Sequence, residues 1–133
     1  MKIIIVGAAG DVGKAACAEL GQRHDLITVG RSSGDLQVDI SDRISIDNMY
    51  KKIGPVDAVV STAGDVHFAT LEEQTEETMM LGFRQKVMGQ INLVLAGIKS
   101  VKDGGSFTLT SGVLDRDPIR MGVAVFRTGS RLI

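Results

Sequence analysis

Cysteine and the large aromatics are nearly missing from this sequence. Its 133 residues include one cysteine, Cys17, one tyrosine, Tyr50, four phenylalanines and no tryptophan. A single cysteine can neither close an internal disulfide nor build a structural zinc cluster, so a disulfide-stapled module and a zinc finger are excluded and no metal site is expected. A reduced, cytoplasmic setting fits this cysteine usage. An excess of either charge is also missing. Fifteen Lys and Arg stand against sixteen Asp and Glu, for a net charge of −1. No basic surface is available for nucleic acid or for an anionic membrane, so neither is expected as a partner. Long hydrophobic runs are absent too. The run Ile3, Ile4, Ile5, Val6 is far short of the ~20 residues that a spanning helix needs. Glycines follow it and one lysine precedes it, which does not read as a signal peptide.

What is present is a composition for one globular domain: 44% apolar and 23% charged residues over residues 1–133. Residues 2–6 form a β-branched run that reads as a buried strand. Val12, Ala15, Ala16 and Leu20 recur at helical spacing, giving a helix over 11–20 that ends near Gly21. Strands follow at 26–29 and 36–38. Ser41 is placed to cap a helix whose core face is Ile46, Met49, Tyr50 and Ile53, stopped by Gly54 and Pro55. A fourth strand covers 56–60. Thr70 and Glu73 have the spacing of a capping box. A long helical stretch runs over 75–101, with Val87, Ile91, Leu95 and Ile98 as its stripe. A turn at 103–105 leads to a fifth strand at 107–110. Strand and helix alternate throughout, which predicts an α/β fold with a doubly wound, Rossmann-like parallel sheet of about five strands.

The first strand runs into Gly7, Gly10 and Gly13 and then into a helix. A tight turn needs the first glycine. The second lets the backbone approach a pyrophosphate, and the third lets the helix pack close to the sheet. Free N–H groups at the helix start then face the phosphates, so Gly7, Ala9, Gly10, Asp11, Val12 and Gly13 are cofactor-binding candidates. Asp11 has a plainer role open to it, as the cap of that helix.

The G-x-x-G-x-x-G spacing resembles the short-chain dehydrogenase/reductase family in its atypical and extended branches. It departs from the more familiar T-G-x-x-x-G-x-G of that family. The resemblance extends along the chain. Where an NAD-selective member places an acidic residue after the second strand, this sequence has Gly30, Arg31, Ser32 and Ser33. A cation with hydroxyl donors suits a 2′-phosphate, which favours NADP over NAD, although Asp35 stands nearby. Asp39 and Ile40 resemble the family's pair at the adenine; Asp39 can equally be a residue leading into the Ser41 cap. Ser61, Thr62, Ala63 and Gly64 resemble the N-N-A-G motif, whose small residues pass beneath the cofactor.

The resemblance implies a Ser, Tyr and Lys mechanism assisted by an Asn. Ser111, after Thr110, matches the serine, or else it simply finishes a strand. The tyrosine position holds Ala124 and the lysine position Thr128, so the Tyr-x-x-x-Lys pair is absent. Tyr50, the sole tyrosine, has the spacing of a core residue. Lys86 replaces the asparagine, as a proton donor or as a solvated helix lysine. His67, just past the fourth strand, is the spare acid/base, or else an exposed loop histidine. The resemblance covers about residues 1–123, and the C-terminal part of the family fold is expected to be missing. The fifth strand then becomes an exposed sheet edge and an apolar face loses its cover, so self-association into a homo-oligomer is expected. Two functions follow: an NADP(H)-dependent oxidoreductase acting on a small carbonyl or alcohol substrate, and a non-catalytic nucleotide-binding module.

Overall fold

The computed structural model describes residues 1–64 and 68–112. Strand β1 (Lys2–Val6) leads into α1 (Asp11–Leu20), β2 (Asp25–Gly30), the short β3 (Leu36–Gln37), α2 (Arg43–Ile53) and β4 (Val56–Ser61). A 3₁₀ turn (Leu71–Glu73) precedes one continuous helical rod. The rod consists of α3 (Glu76–Gly82), a π-helical segment (Phe83–Met88) and α4 (Gly89–Gly97), and β5 (Val101–Leu109) follows it. Thr70 and Glu73 do form the capping box. All pairings are parallel, in the order β3-β2-β1-β4-β5.

That order positions the site. Right-handed crossovers put α1 on one face of the sheet. The strand order reverses after β3, so α2 and α4 cross on the other face. The reversal leaves a crevice between the carboxyl ends of β1 and β4. Ile4, Val6, Val29 and Val59 share one core with Ile46, Met49 and Tyr50 of α2 and Leu93 of α4.

The helical rod differs from its sequence pattern. Leu95 and Ile98, two members of the expected stripe, are 56% and 65% exposed. The buried residues of α4 are instead Gly89, Gln90, Leu93 and Gly97. The reason is close approach. A Cβ on Gly89 would stand 2.9 Å from Ile40 Cδ1, and one on Gly97 would stand 2.5 Å from Tyr50 Cζ. The helix docks through glycines, which carry no apolar signal, and through Leu93, and it turns Leu95 and Ile98 outward. Ser41 does not cap α2. Asp42 does, its Oδ1 accepting from Ile44 N at 2.9 Å. The expected turn at 103–105 lies inside β5 as an irregularity. Val56 faces Val101 and Ala58 faces Ser106, so β5 carries extra residues there. Among the described residues β5 is a sheet edge, and no helix is long and apolar enough to cross a membrane.

Tyr50 Oη donates to the Leu93 carbonyl at 2.8 Å and locks α2 to α4. Tyr50→Phe should cost about 1 kcal/mol in urea unfolding, the worth of one buried hydrogen bond. Gly97→Ala should cost more, about 1–3 kcal/mol, because the added methyl overpacks the same ring. A reversed order would show that the hydrogen bond, not the close approach, limits this contact.

Candidate functional site

At the end of β1 the chain turns at Gly7, whose φ is +86°. A Cβ there would meet Ala63 N at 2.8 Å and Thr62 Oγ1 at 2.9 Å. Thr62 Oγ1 lies 3.1 Å from both the Val6 and Gly7 carbonyls and donates to them, tying the ends of β4 and β1 together. A Cβ on Gly13 would collide with the Gly7 carbonyl oxygen and stand 2.8 Å from Ala8 Cα. Gly10 is different. Its missing Cβ would meet only the Gly7 carbonyl, at an ordinary 3.5 Å. Packing within the protein does not demand glycine at this position.

Gly10 is also the N-cap of α1, and no side chain caps that helix. The capping role expected for Asp11 is therefore not filled. Asp11 is the first helical residue and is exposed, because the backbone of Gly10 occupies the cap position. The first turn of α1 thus keeps N–H groups without side-chain acceptors, and the positive end of the helix dipole faces the crevice.

The crevice is a cleft of about 430 Å³. Gly7, Ala9 and Gly10 line one side. Arg31, Ser32 and Ser33 line the end beyond β2, with Val38 and Ile40 below them, and Thr62, Ala63 and Gly64 form the β4 side. Gln85 reaches in from the π-helical segment. Of the cofactor-binding candidates, Asp11, Val12, Gly13 and Asp39 do not line it. Gly13 acts from behind, by admitting the helix.

Both nearby carboxylates are engaged elsewhere. Asp39 Oδ1 accepts from Ser41 Oγ at 2.6 Å and Ser41 N at 2.9 Å, and these bonds, with a smaller contribution from the Arg31 charge, hold its carboxyl below the usual range. Asp35 Oδ2 accepts from Thr28 N at 2.8 Å and Thr28 Oγ1 at 2.7 Å, with the same effect on its pKa. No carboxylate lines the cleft among the described residues, and its one cation there is Arg31. Ser61 is fully buried, its Oγ without a partner among the described residues. The first position of that motif therefore packs inward, while Ala63 and Gly64 face the cleft.

Sequence reasoning missed Gln85, Gln90 and Thr62 as site residues. Thr62 stands within the Ser61 to Gly64 motif. Gln85 gave no signal, because its direction depends on the π-helical segment. Gln90 is buried, and its amide serves two elements at once. Nε2 donates to the Lys86 carbonyl at 3.1 Å and to the Thr110 carbonyl at 2.9 Å, and Oε1 accepts from Thr110 N at 2.8 Å. Thr110 Oγ1 donates to the Ser61 carbonyl at 2.6 Å. Lys86 and the residue preceding Ser111 are therefore held by one amide group.

Lys86 is half-buried, and burial pushes its ammonium below the ordinary lysine value. Its backbone packs against Gly64, where a Cβ would stand 3.1 Å from Lys86 Cα. Ser111 is exposed at the end of β5. His67, Ala124 and Thr128 lie outside the described residues. Tyr50 is buried on α2, bonded to Leu93, with its phenol pushed up by burial.

The profile of the NAD dependent epimerase/dehydratase family matches residues 3–111. The protein lin1944 from Listeria innocua is 45% identical over 97% of this chain, with a TM-score of 0.95. A small-chain dehydrogenase in complex with NADPH is 24% identical over 97% of the chain, with a TM-score of 0.87. Serine dehydrogenase from Escherichia coli is 18% identical over 97%, with a TM-score of 0.83. The chain spans 64%, 58% and 70% of the lengths of these three proteins. No curated protein matches it. The glycine turn, the reversed strand order and the family profile agree: the chain belongs to the NAD dependent epimerase/dehydratase family and has the fold of the short-chain dehydrogenases/reductases.

Proposed function

We propose that the chain binds NADP(H) and supports hydride transfer to or from a small carbonyl or alcohol. Gly10 carries this reading. The protein's own packing leaves room for a side chain at Gly10, yet the residue has none and lies on the cleft beside an uncapped helix N-terminus. Those are the requirements of a pyrophosphate drawn close to backbone N–H groups. Arg31 with Ser32 and Ser33 would take a 2′-phosphate, and Asp35 and Asp39, each with one oxygen held by Thr28 or Ser41, do not line the cleft. The NADPH carried by the small-chain dehydrogenase of like fold is in keeping with this.

When bound, the nicotinamide supplies or accepts the hydride. The chain's own residues handle the proton and the oxygen. Ser111 would hold the substrate oxygen. Lys86, with its ammonium weakened by burial, would give or take the proton. The Gln90 amide would set the spacing of the two. A specific observation favours the second reading, a nucleotide-binding module without turnover. The sole tyrosine is committed to the core, and Ala124 and Thr128 stand at the positions of the Tyr and Lys pair. We further propose that the exposed Leu95 and Ile98 stripe of α4 is a self-association surface.

Titration of the chain with NADPH and NADH tests the first step. Micromolar binding that prefers NADPH is expected, and binding of neither would end the proposal. Gly10→Ala should leave the unfolding midpoint nearly unchanged and weaken both nucleotides, whereas Gly13→Ala should destabilise the fold itself. NADPH absorbance decay with a panel of aldehydes and ketones then separates the two readings, since tight binding without turnover identifies the module.

Lys86 gives a pH test. Its folded pKa lies below the ordinary value of 10.5. Between those two values the unfolded chain binds more protons, so stability rises with pH there. Lys86→Met should therefore stabilise at pH 7, and its advantage should shrink as pH climbs toward that ordinary value. A pH-independent advantage in urea unfolding would mean that the ammonium is fully hydrated. Light scattering should give a dimer or larger mass, and a monomer mass would remove the α4 surface.

A further inference from the structure

Arg31 and Gln85 are far apart in sequence and meet at the cleft. Arg31 Nη2 donates to Gln85 Oε1 at 2.6 Å, bridging the loop after β2 and the π-helical segment. Both residues line the same end of the cleft. A π-helical segment inside an α-helix changes the direction in which its residues project, and such segments concentrate at functional sites. Here the segment is held in place by the glycine docking of α4, since Gly89 sits against Ile40, itself a cleft residue. Gln85 is therefore presented from a rigid base. Its chemistry is specific. An amide oxygen accepts one hydrogen bond from the guanidinium and orients its plane, and it adds no negative charge to the one already acting from Asp39. A carboxylate at the same point would orient it equally well and neutralise it.

We propose that Gln85 is a specificity-determining residue, which helps to orient Arg31 toward the 2′-phosphate of the nucleotide without adding a negative charge beside it. This rests on the NADP(H) reading of the cleft and adds to it a residue from the opposite wall. Loss of orientation alone should be modest, and loss of charge larger.

The test is fluorescence titration of the full chain with NADPH and with NADH, for the parent and for Arg31→Ala, Gln85→Ala and Gln85→Glu. Gln85→Ala should weaken NADPH binding about three- to tenfold, the range of one charge-assisted hydrogen bond partly exposed to water. Gln85→Glu should weaken it by more than Gln85→Ala, and NADH should change by less than about twofold in both. Thermal melting of the Gln85 variants should match the parent, because the side chain lies at the cleft and outside the core. If Arg31→Ala leaves the NADPH preference intact, the NADP(H) reading fails and this inference with it. If Arg31→Ala abolishes the preference while both Gln85 variants keep it, the inference alone fails. Tighter NADPH binding by Gln85→Ala would also overturn it, by showing that the bond competes with the phosphate.

Discussion

The closeness of α1 to the end of β1 governs this structure. The helix begins against the carbonyl of Gly7, at a distance that no Cβ at Gly13 would permit. That approach points the uncapped helix N-terminus at the switch point of the sheet. It also forces the turn at Gly7 into a positive φ and brings Gly7 against Thr62 and Ala63 of the β4 end. The two strands that bound the cleft are thereby fixed to each other, and the bifurcated bond from Thr62 Oγ1 completes the join. Without the close helix, the cleft would have neither its floor nor its dipole.

The strands and the turn were legible because their causes are local. Buried parallel strands must be apolar over several residues, and the β1 and β4 runs show it directly. A glycine turn between strand and helix has few other uses. The rod from α3 to α4 was misread because its cause is not local. Its docking face is built from Gly89, Gln90 and Gly97, chosen by the distance to Ile40 and Tyr50 on other elements. A hydrophobic pattern ranks such residues last, so the outward stripe of Leu95 and Ile98 takes their place in a reading by periodicity. The cap of α2 slipped by one residue for a similar reason. Ser41 is drawn instead into the hydrogen bonds of Asp39, which leaves Asp42 to accept from Ile44.

Charge around the cleft follows the same economy of partners. Two carboxylates near Arg31 would weaken that end's hold on an anion if they faced it. Each is supplied with its own donors, a backbone N–H and a hydroxyl, from a residue a short distance along the chain. Their depressed pKa values show that these bonds favour the ionised form. They therefore stay negative at neutral pH, with one oxygen of each held by fixed donors, and the charge of Asp39 still acts on Arg31. Arg31 remains the cation of that end. The sequence sets Asp35 near Arg31, and the Thr28 contacts hold one of its carboxylate oxygens.

The same helix that closes the core also reaches the site, and this links stability to chemistry. Gln90 is buried, so its amide must find partners or impose a desolvation cost. It finds them on the carbonyl of Lys86 and on both backbone groups of Thr110. Among the described residues β5 has a neighbour on one side only, and this clamp fixes the end that leads to Ser111. Burial of the Lys86 stem against Gly64 belongs to the same packing, and it is what weakens the ammonium. A more hydrated lysine would keep its ordinary basicity and cost the fold less. The lowered pKa is thus a local cost of packing the Lys86 stem against Gly64.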